Sequence, residues 1–436
     1  MGPDKSIIRG VKEYKPDVIA FSIFTGQHAW AVNLASRLKA LFGDDKFIIM
    51  GGPHPTFCPG IIENDAVDAI CIGEGESAVA ELADAISRGA EYTGIKNFWF
   101  RKEGRVIRNQ LRPLIQDIDA IPFADREIYY GYRFLRESPH KNFALGRGCP
   151  YYCAFCFNHA LRKKYENTAG DYVRFRSPEK VMEEIRTVKE RYPLPSVRFY
   201  DDTFIYNRDL AIRFLDAYRK ELRIPFYCNV RANLCDEEMV LKLKEAGCYQ
   251  VDLGVESGNE LIRNKILKKG VTDAQIMSAA EILKKHGIRF NTTNMLGLPH
   301  ETLDDAWKTI QFNIDIKADS AWTSMFQPFP GTEIADYVKR AKLVEKLDFE
   351  SRSCDAHSLS QLKQPGIREI TNLHKFVYLA IAFPFIKPLV QVLIKLRPNP
   401  VFNLIYKASY FIFFYRRARK MSLKRSLWEM MKAVQY

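Results

Sequence analysis

The sequence feature that most constrains the fold is a repeated alternation of short apolar strands with amphipathic helices between residues 143 and 332. The pattern indicates strands at FALGRG, SVRFYDD, FYCNVRA, QVDLGVE, RFNTTNMLGLP and SAWTSMFQPF. The helices between them include SPEKVMEEIRTVKERY and TDAQIMSAAEILKKHG. Because helical crossovers between parallel strands are right-handed, these six units predict an open (β/α)6 TIM-like barrel, short of the closed eight-unit form.

A similar alternation fills the first hundred residues. The runs DVIAFSIF, FIIMGG and DAICIGEGE predict strands buried on both faces, and AVNLASRLKALFG and SAVAELADAISRG predict helices. Lys96 to Asp125 predicts a mixed, mostly extended connection. This order is typical of a doubly wound, Rossmann-like α/β domain. We therefore expect this domain at 1–110, a linker at 111–139, the barrel at 140–345 and a helical C-terminal region at 346–436.

The nine cysteines do not resemble a disulfide framework, because their number is odd and three of them lie within eight residues. The residues from Gly2 to Ser6 are polar and lack the apolar core of a signal peptide. We therefore expect a cytoplasmic protein whose crowded cysteines bind a metal or a cluster. Four other cysteines are expected to be plain buried thiols: Cys228, Cys235, Cys248 and Cys354.

The crowded cysteines occur in GRGCPYYCAFC, where Cys149, Cys153 and Cys156 have C-x3-C-x2-C spacing. Iron–sulfur clusters are normally held by four cysteines, so three thiolates leave one iron open. An open iron can chelate the amino and carboxylate groups of a methionine moiety, and an electron from the cluster then cleaves the sulfonium C–S bond. One alternative is a zinc site completed by His159, and another is an apolar patch of buried cysteines.

GRGCPYYCAFC resembles the cluster loop of the radical S-adenosylmethionine (radical SAM) superfamily. The resemblance continues to Glu333 through RFYDDTF, NVRANL, GVESG, MLGLPHET and QPFPGTE, which stand in order at successive strand ends. It implies a [4Fe-4S] cluster held by Cys149, Cys153 and Cys156, and S-adenosylmethionine (SAM) that is cleaved to a 5′-deoxyadenosyl radical. It also implies a reductant such as flavodoxin or ferredoxin.

The resemblance further implies which residues contact SAM. Phe155 and the backbone of Gly297 and Leu298 are expected near the adenine, and Glu256 near the ribose hydroxyls. The methionine moiety is expected to contact four residues: Asp201, Asp202, Thr203 and Arg231. Asp-Asp-Thr stands where many members have Gly-Gly-Glu, which leaves that contact open.

Each of these residues also has a structural alternative. The two aspartates are suited to capping the next helix or ending a strand. Arg231 is suited to a surface ion pair, Glu256 to capping the helix that follows it, and Gly297 to a turn. The sequence alone does not distinguish a SAM contact from a structural role for these residues.

The N-terminal runs PDVIAFSIFTG, IIMGGPHPTF and VDAICIGEGE resemble the cobalamin-binding domain of one radical SAM subfamily. The resemblance implies cobalamin contacts at four strand-end residues: Ser22, Thr25, Gly51 and Gly52. For the glycines the alternative is an ordinary turn. The family's Asp-x-His-x-x-Gly motif is absent, so we expect no lower histidine ligand from His28 or His54. We also expect the domain's first strand, first helix and second strand to be missing, which leaves a sheet edge exposed.

The net charge of +13 is concentrated at the C-terminus, where the segment from Lys395 onward has ten Lys or Arg residues and one acidic residue, Glu429. This distribution argues against a nucleic-acid partner. FVYLAIAFPFIKPLVQVLI is interrupted by prolines and a lysine and falls short of a membrane span. Together with VFNLIYKASYFIFFYRRARK it predicts helices that lie on the inner face of an anionic membrane. The alternative is a helical cap on the barrel with solvated charges.

These observations lead to three hypotheses. The first is a cobalamin-associated radical SAM enzyme, a methyltransferase or an enzyme of related C–H chemistry, that acts on an unactivated carbon of a hydrophobic or lipid-like substrate. The second is a cobalamin-independent radical SAM enzyme for cyclisation or rearrangement. The third is a non-enzymatic iron–sulfur or zinc module. The sequence identifies neither a substrate nor a catalytic side chain, because barrel interiors vary freely within one chemistry.

Overall fold

The computed structural model describes residues 3–43, 45–345, 347, 349 and 360–413. The chain divides into two compact units, each assembled from separate stretches of sequence. The first contains Met1–Leu114, Phe155–Asp171 and Gln327–Asp355. The second contains Ile115–Ala154, Tyr172–Phe326 and Ala356–Tyr436.

The regular elements of the described residues alternate along the chain. The strands are β1 (Val18–Ser22), β2 (Phe47–Gly51), β3 (Ala69–Cys71), β4 (Phe98–Lys102), β5 (Arg105–Arg108), β6 (Lys141–Phe143), β7 (Gly146–Arg147), β8 (Arg174–Phe175), β9 (Val197–Phe199), β10 (Phe226–Val230), β11 (Cys248–Glu256), β12 (Arg289–Leu296) and β13 (Ser320–Met325). The helices are α1 (Pro3–Tyr14), α2 (His28–Phe42), α3 (Pro53–Phe57), α4 (Glu76–Arg88), α5 (Glu127–Tyr130), α6 (Arg133–Arg136), α7 (Phe157–Tyr165), α8 (Pro178–Arg191), α9 (Arg208–Glu221), α10 (Glu237–Glu245), α11 (Asp273–Lys285), α12 (Leu303–Asp315), α13 (Glu333–Arg340), α14 (Ile367–Ala382), α15 (Lys387–Leu393) and α16 (Pro400–Tyr410).

The first unit is built on a five-stranded sheet in the order β1-β2-β3-β4-β5. Strands β1 to β3 pair in parallel, whereas β4 and β5 add antiparallel. Alternate residues of β2 enter two apolar cores, Met50 with Leu34 and Leu38 of α2, and Ile49 with Leu82 of α4. Because both faces of this sheet are buried, the sequences of its parallel strands are continuous apolar runs.

The second unit is built on a six-stranded, all-parallel sheet in the order β13-β12-β11-β10-β9-β6. Strand β11 shows how the sequence specifies its two faces. Val251, Leu253 and Val255 are fully buried in the core that the helices share, while Asp252 and Gly254 point to the opposite face. The opposite, interior face is where the candidate site lies.

Short polar side chains start the helices of this unit. Each accepts a hydrogen bond from the backbone N–H three residues later, which satisfies a donor that the helix itself leaves without a partner. The caps of α8 to α12 are Ser177, Asn207, Asp236, Thr272 and Thr302.

The described part of the C-terminal region, from residue 360 to residue 413, is mostly helical, as the sequence predicted. Helix α14 packs against the barrel, where its Phe376 and Val377 share a core with Trp307 and Met325. Within the described residues no helix is long and apolar enough to cross a membrane. Cys354 and the basic residues from Arg416 onward lie outside the described part of the chain.

The predicted fold class is confirmed, since a doubly wound N-terminal domain, six parallel barrel strands and a helical C-terminus are all present. The segment from Lys96 to Asp125 differs in detail from its prediction. Part of it forms β4 and β5 and extends the N-terminal sheet. The apolar pattern indicates that these residues are extended. It does not specify which strands they pair with, because strand pairing depends on tertiary context.

A buried carboxyl group shapes the turn after β12. Glu301 Oε2 accepts hydrogen bonds from the N–H groups of Gly297 and Leu298, the latter at 3.2 Å. The Glu301 side chain is 1% exposed, and its Oε1 has no partner among the described residues. Burial raises the pKa of Glu301 from 4.5 to about 8.

This pKa predicts how stability depends on pH. Above pH 4.5 Glu301 is ionised in the unfolded chain, whereas in the folded chain it stays protonated up to about pH 8. The contribution of protonated Glu301 to the free energy of unfolding is therefore lost as pH rises from 4.5 towards about 8. Glu301→Gln keeps an acceptor for both N–H groups and cannot ionise. We expect its melting temperature to match wild type near pH 4.5 and to exceed it near pH 8. A gap that is constant across this range in thermal unfolding followed by circular dichroism contradicts the assignment.

Candidate functional site

The cysteine motif follows strand β7. Cys149 and Cys153 belong to the second unit and Cys156 is the N-cap residue of α7 in the first. None of the three forms a disulfide bond among the described residues, and Cys153 is buried while the other two are half-buried. Gly148, just before Cys149, has φ +85°, and a Cβ there would lie 2.5 Å from the Tyr172 carbonyl oxygen. The glycine is therefore needed for the close approach of backbone at the start of the loop.

Cys149 lies beside the loop that follows β9. Its Sγ is 3.9 Å from Thr203 Oγ1. Burial raises the pKa of the Cys149 thiol, and the nearby charge of Asp202 raises it further. Metal binding requires a thiolate and releases the proton, so a bound cluster would offset this cost. The structure thus brings Thr203, one of the predicted SAM residues, next to the first cysteine.

Asp201 has a structural role in this arrangement. Its carboxylate accepts hydrogen bonds from the N–H groups of Leu145 (3.0 Å) and Gly146 (2.7 Å), directly before the cysteine motif. Burial raises the pKa of Asp201 to about 7. The helix-cap alternative for Asp201 is wrong, because Asn207 caps α9. Its contact with the methionine amino group stays a prediction.

Arg231 is the buried cation of the site, at 7% exposure, so the surface ion-pair alternative is wrong. Its guanidinium lies 3.7 Å from the centre of the Tyr151 ring, and Nη1 is 3.9 Å from Cys153 Sγ. Nη2 donates to the carbonyl oxygens of Lys269 and Gly270. These contacts join the end of β10 to the cysteine motif. A bidentate grip on the SAM carboxylate would require Nη2 to exchange these contacts.

Glu256 forms a buried ion pair at the end of β11. Its Oε1 lies 2.9 Å from Lys269 Nζ and 3.4 Å from Thr293 Oγ1. The helix-cap alternative for Glu256 is wrong, because Asn259 accepts the N–H of Leu261 at 2.9 Å. Lys269 therefore meets Glu256 with its side chain and Arg231 with its backbone.

The segment Leu267–Gly270 connects these parts. It follows a π-helical turn at Ile262–Ile266 whose Arg263 is fully buried. The Leu267 carbonyl accepts the N–H of Ala154, the residue after Cys153, at 2.9 Å. One short segment thus contacts the cysteine motif, Arg231 and Glu256. π-Helical turns are rare and are often found at functional sites.

Gly297 and Leu298 form the turn held by Glu301. Their N–H groups donate to its carboxyl group, and the Leu298 carbonyl accepts from Gln364 Nε2 at 2.8 Å. Gly297 has φ +74°, which explains the glycine whatever else the turn contacts. Backbone contact of these two residues with adenine stays a prediction, as does the role of the half-buried Phe155 and the exposed Asp202.

The interior face of the sheet carries a row of polar residues that the sequence analysis missed. We call Asn229, Asp252, Asn291 and Ser320 the polar row, since they are register partners on β10 to β13. Asn291 donates to Asp252 at 3.0 Å, and Arg198 Nη2 lies 3.8 Å from Asp252. Asn291 Oδ1 and Ser320 Oγ are buried without a partner in the part of the chain that the structure describes. Polar residues at alternating positions of RFNTTNML were the available signal.

In the first unit, Gly52 brings the ends of β1 and β2 together. It has φ +94°, and a Cβ there would lie 3.0 Å from the backbone of Ile23 and 3.2 Å from Ser22 Oγ. At Gly51 the nearest atom to an added Cβ is Cys71 Cβ, at an ordinary 3.6 Å. Gly52 is thus required by the fold itself, whereas packing does not require glycine at Gly51.

Thr25 lies next to two stacked histidines. Its Oγ1 is 3.2 Å from His54 Nδ1, and the rings of His28 and His54 stack with centres 4.1 Å apart. Burial and the neighbouring His28 lower the pKa of His54 to about 4, so it is neutral at pH 7. Neither histidine stands in a cobalamin-ligand motif. The predicted cobalamin contacts of Ser22, Thr25, Gly51 and Gly52 stay predictions.

The geometry bears on the zinc alternative as well. His159 Nε2 lies 3.6 Å from Glu333, within the first unit. Across the described residues no group of three or more His, Cys, Asp and Glu side chains converges on one metal ion. A four-iron cluster differs, because each of its thiolates binds a different iron. Cys153 next to the buried guanidinium of Arg231 and Cys149 next to Thr203 are suited to be ligands of such a cluster.

Comparison with known families and proteins places these features in context. The model of the radical SAM superfamily matches residues 143–312, and that of the B12 binding domain matches residues 1–83. Uncharacterized methyltransferase PH0819 of Pyrococcus horikoshii is 30% identical over 89% of this chain and 82% of its own length. The anaerobic magnesium-protoporphyrin IX monomethyl ester cyclase of Rubrivivax gelatinosus is 26% identical over 77% of this chain, which spans only 60% of that relative.

Solved structures share the fold at low sequence identity. The radical SAM methyltransferase TsrM from Kitasatospora setae, with cobalamin and a [4Fe-4S] cluster bound, superposes with a TM-score of 0.66 at 16% identity, over 83% of this chain and 71% of that one. The cobalamin-dependent radical SAM enzyme OxsB, with aqua-cobalamin and SAM bound, gives 0.68 at 17% identity, over 95% of this chain and 64% of that one.

The two family matches imply three cofactors, which are a [4Fe-4S] cluster and SAM for the radical SAM domain and cobalamin for the N-terminal domain. The residues described above fit the cluster and leave the cobalamin contacts to be tested. The chain belongs to the radical SAM superfamily and is a radical SAM enzyme with an N-terminal B12 binding domain.

Proposed function

We propose that this enzyme transfers a methyl group to an unactivated carbon of a hydrophobic substrate, with Cys149, Cys153 and Cys156 holding the cluster. When bound, the cluster and SAM supply a 5′-deoxyadenosyl radical and cobalamin supplies a methyl group. The observation that carries the proposal is Arg231, whose buried guanidinium connects Cys153 to the Glu256–Lys269 pair. The methyltransferase relative and the B12 binding domain support methyl transfer.

The chain's own residues have separate tasks in this proposal. Asp201 holds the backbone before Cys149, so the loop is set before the cluster binds. Arg231 places a positive charge 3.9 Å from the Cys153 sulfur, at the centre of the cysteine motif. The SAM contacts proposed for Thr203, Glu256 and the other strand-end residues lie at the carboxyl ends of parallel strands, where barrel enzymes build their sites.

The polar row supports a substrate that is hydrophobic but carries a polar group. Asn291 Oδ1 and Ser320 Oγ have unused hydrogen-bonding capacity within the described residues. A buried polar atom without a partner costs about 1–3 kcal/mol, which a substrate hydroxyl or amide would recover. The proposal also includes an electron donor such as flavodoxin or ferredoxin and contact of the C-terminal region with the inner face of a membrane.

A cyclisation is the second candidate, and the similarity to the magnesium-protoporphyrin cyclase favours it. The two candidates differ in the products they form from SAM. Methyl transfer is expected to give S-adenosylhomocysteine along with 5′-deoxyadenosine, because a methyl group leaves SAM. Cyclisation is expected to give 5′-deoxyadenosine alone. Chromatography of the products after anaerobic reduction with cobalamin and SAM separates them.

Cys153→Ala is expected to reduce cluster iron and 5′-deoxyadenosine to background, because two thiolates of the motif remain. The measurements are iron and sulfide content after anaerobic reconstitution, then 5′-deoxyadenosine after reduction with dithionite. Cys228→Ala is the matched control, since Cys228 is fully buried in the barrel core and burial raises its thiol pKa well above the ordinary value. Zinc in place of iron in the wild-type protein, or full activity of Cys153→Ala, refutes the cluster assignment.

Gly51→Ala tests the cobalamin site. The added methyl group makes only ordinary contacts, so we expect thermal stability to stay close to wild type. If the Gly51 backbone contacts the cofactor, the methyl group blocks that approach and weakens binding by about tenfold or more. The measurement is a titration with hydroxocobalamin followed by absorbance. Gly10→Ala is the control, because an added Cβ there meets nothing within 4 Å. Equal affinities of the two variants contradict the predicted contact.

A further inference from the structure

The C-terminal region exposes an unusual amount of apolar surface. Of the 23 large apolar or aromatic side chains that are exposed in the described residues, eight lie between residues 383 and 412. We call these eight the C-terminal apolar surface: Phe383, Phe385, Leu389, Val392, Leu396, Val401, Leu404 and Ile412. Their exposed fractions run from 42% to 80%. Their concentration in one segment of the chain indicates a contact surface.

The exposure is a consequence of how α15 and α16 are held. Val390 on α15 and Ile394 just after it are 1% exposed and join the core with α14. Asn372 of α14 donates to the carbonyl oxygens of Ile394 and Leu396, each at 2.8 Å, which fixes the end of α15. The inner face of α15 is therefore packed, while Leu389 and Val392 stay exposed on its outer face.

Helix α16 repeats the arrangement. Phe402 and Tyr406 face inward at 5% and 6% exposure, while Val401 and Leu404 are 60% and 68% exposed. Large apolar side chains are thus exposed on α16 as well, whereas a surface helix of a globular protein is normally polar on its outer face. Val401 and Leu404 on α16 repeat the exposure of Leu389 and Val392 on α15.

The charges around the C-terminal apolar surface indicate what kind of partner it binds. The chain has no Asp or Glu between Glu369 and Glu429, while that stretch contains eleven Lys or Arg residues. Lys395, Arg397 and Lys407 are exposed among the apolar side chains. Basic side chains without acidic neighbours are complementary to a surface of uniform negative charge. Apolar side chains interspersed with basic ones alone match an anionic lipid surface.

The structure sharpens the prediction made from the sequence. Phe376, Val377 and Tyr378, in the first half of the predicted interfacial segment, are buried against the barrel. We propose that the C-terminal apolar surface, which lies on and next to α15 and α16 and not on α14, docks the enzyme on an anionic membrane. The apolar side chains enter the acyl boundary, and the lysines and arginine contact the head groups.

This docking surface deepens the proposed function and rests on it in one respect, since a membrane supplies a hydrophobic substrate. Its test measures vesicle binding and not turnover. A failure here therefore leaves the proposed chemistry intact, and a failure of the chemistry leaves the docking surface intact.

The experiment is flotation of the full chain with vesicles of phosphatidylcholine alone or mixed with phosphatidylglycerol. We expect binding to the mixed vesicles that salt weakens. Leu389→Ser with Leu404→Ser is expected to lower the partition coefficient by about tenfold for each side chain, because each removes buried apolar area. The triple variant Lys395→Gln, Arg397→Gln and Lys407→Gln is expected to lower the partition coefficient by about fivefold for each charge removed.

The matched control is Leu41→Ser with Leu241→Ser. Leu41 is 59% exposed, the same as Leu389, and Leu241 is 42% exposed on α10. The control is expected to bind like wild type, and both double variants are expected to keep the wild-type melting temperature. Absence of wild-type binding, equal binding to both lipid compositions, or equal loss in control and test variants overturns the proposal. So does light scattering that shows a dimer which only Leu389→Ser with Leu404→Ser dissociates, since the surface then covers a second copy.

Discussion

The guanidinium of Arg231 is the group on which the barrel site depends. An unpaired charge at 7% exposure would be very costly, so the surrounding backbone must supply acceptors. The carbonyl oxygens of Lys269 and Gly270 accept from Nη2 and the Tyr151 ring covers the guanidinium, while Nε has no hydrogen-bond partner among the described residues. Satisfying this one cation therefore fixes the cysteine motif, the end of β10 and the segment after the π-helical turn relative to one another.

The same segment determines where Glu256 lies. Lys269 is used twice, with its backbone for Arg231 and its ammonium group for Glu256. Buried ion pairs add little net stability when both charges must leave water, but removal of one partner is expensive. We therefore interpret the main role of this network as fixing the positions of these side chains. It holds Cys153 of the motif next to Arg231 after β10 and Glu256 at the end of β11, while the chemistry itself belongs to the cofactors.

The sequence predicted the parts of the fold that depend on local patterns. Five of the barrel strands, the helices and the cysteine motif could be predicted, because each is defined by residues close together in the chain. The first barrel strand was predicted at FALGRG but lies at Lys141–Phe143, and Gly146–Arg147 pairs with β8 in a separate two-stranded sheet. The polar row and the carboxyl of Glu301 could not be predicted, because their roles arise from strand register and from burial. The structural alternatives for Arg231 and Glu256 failed for the same reason. Only tertiary contact reveals that Arg231 is buried and that Asn259 starts the next helical turn.

The central claim is that Cys149, Cys153 and Cys156 hold a cluster with one iron open to SAM beside Arg231. The most direct test is electron paramagnetic resonance of the anaerobically reconstituted and reduced protein, before and after addition of SAM. The account predicts a reduced [4Fe-4S] signal whose g-values shift when SAM binds to the open iron. A signal that SAM leaves unchanged, or a protein that binds zinc and gives no cluster signal, would contradict it.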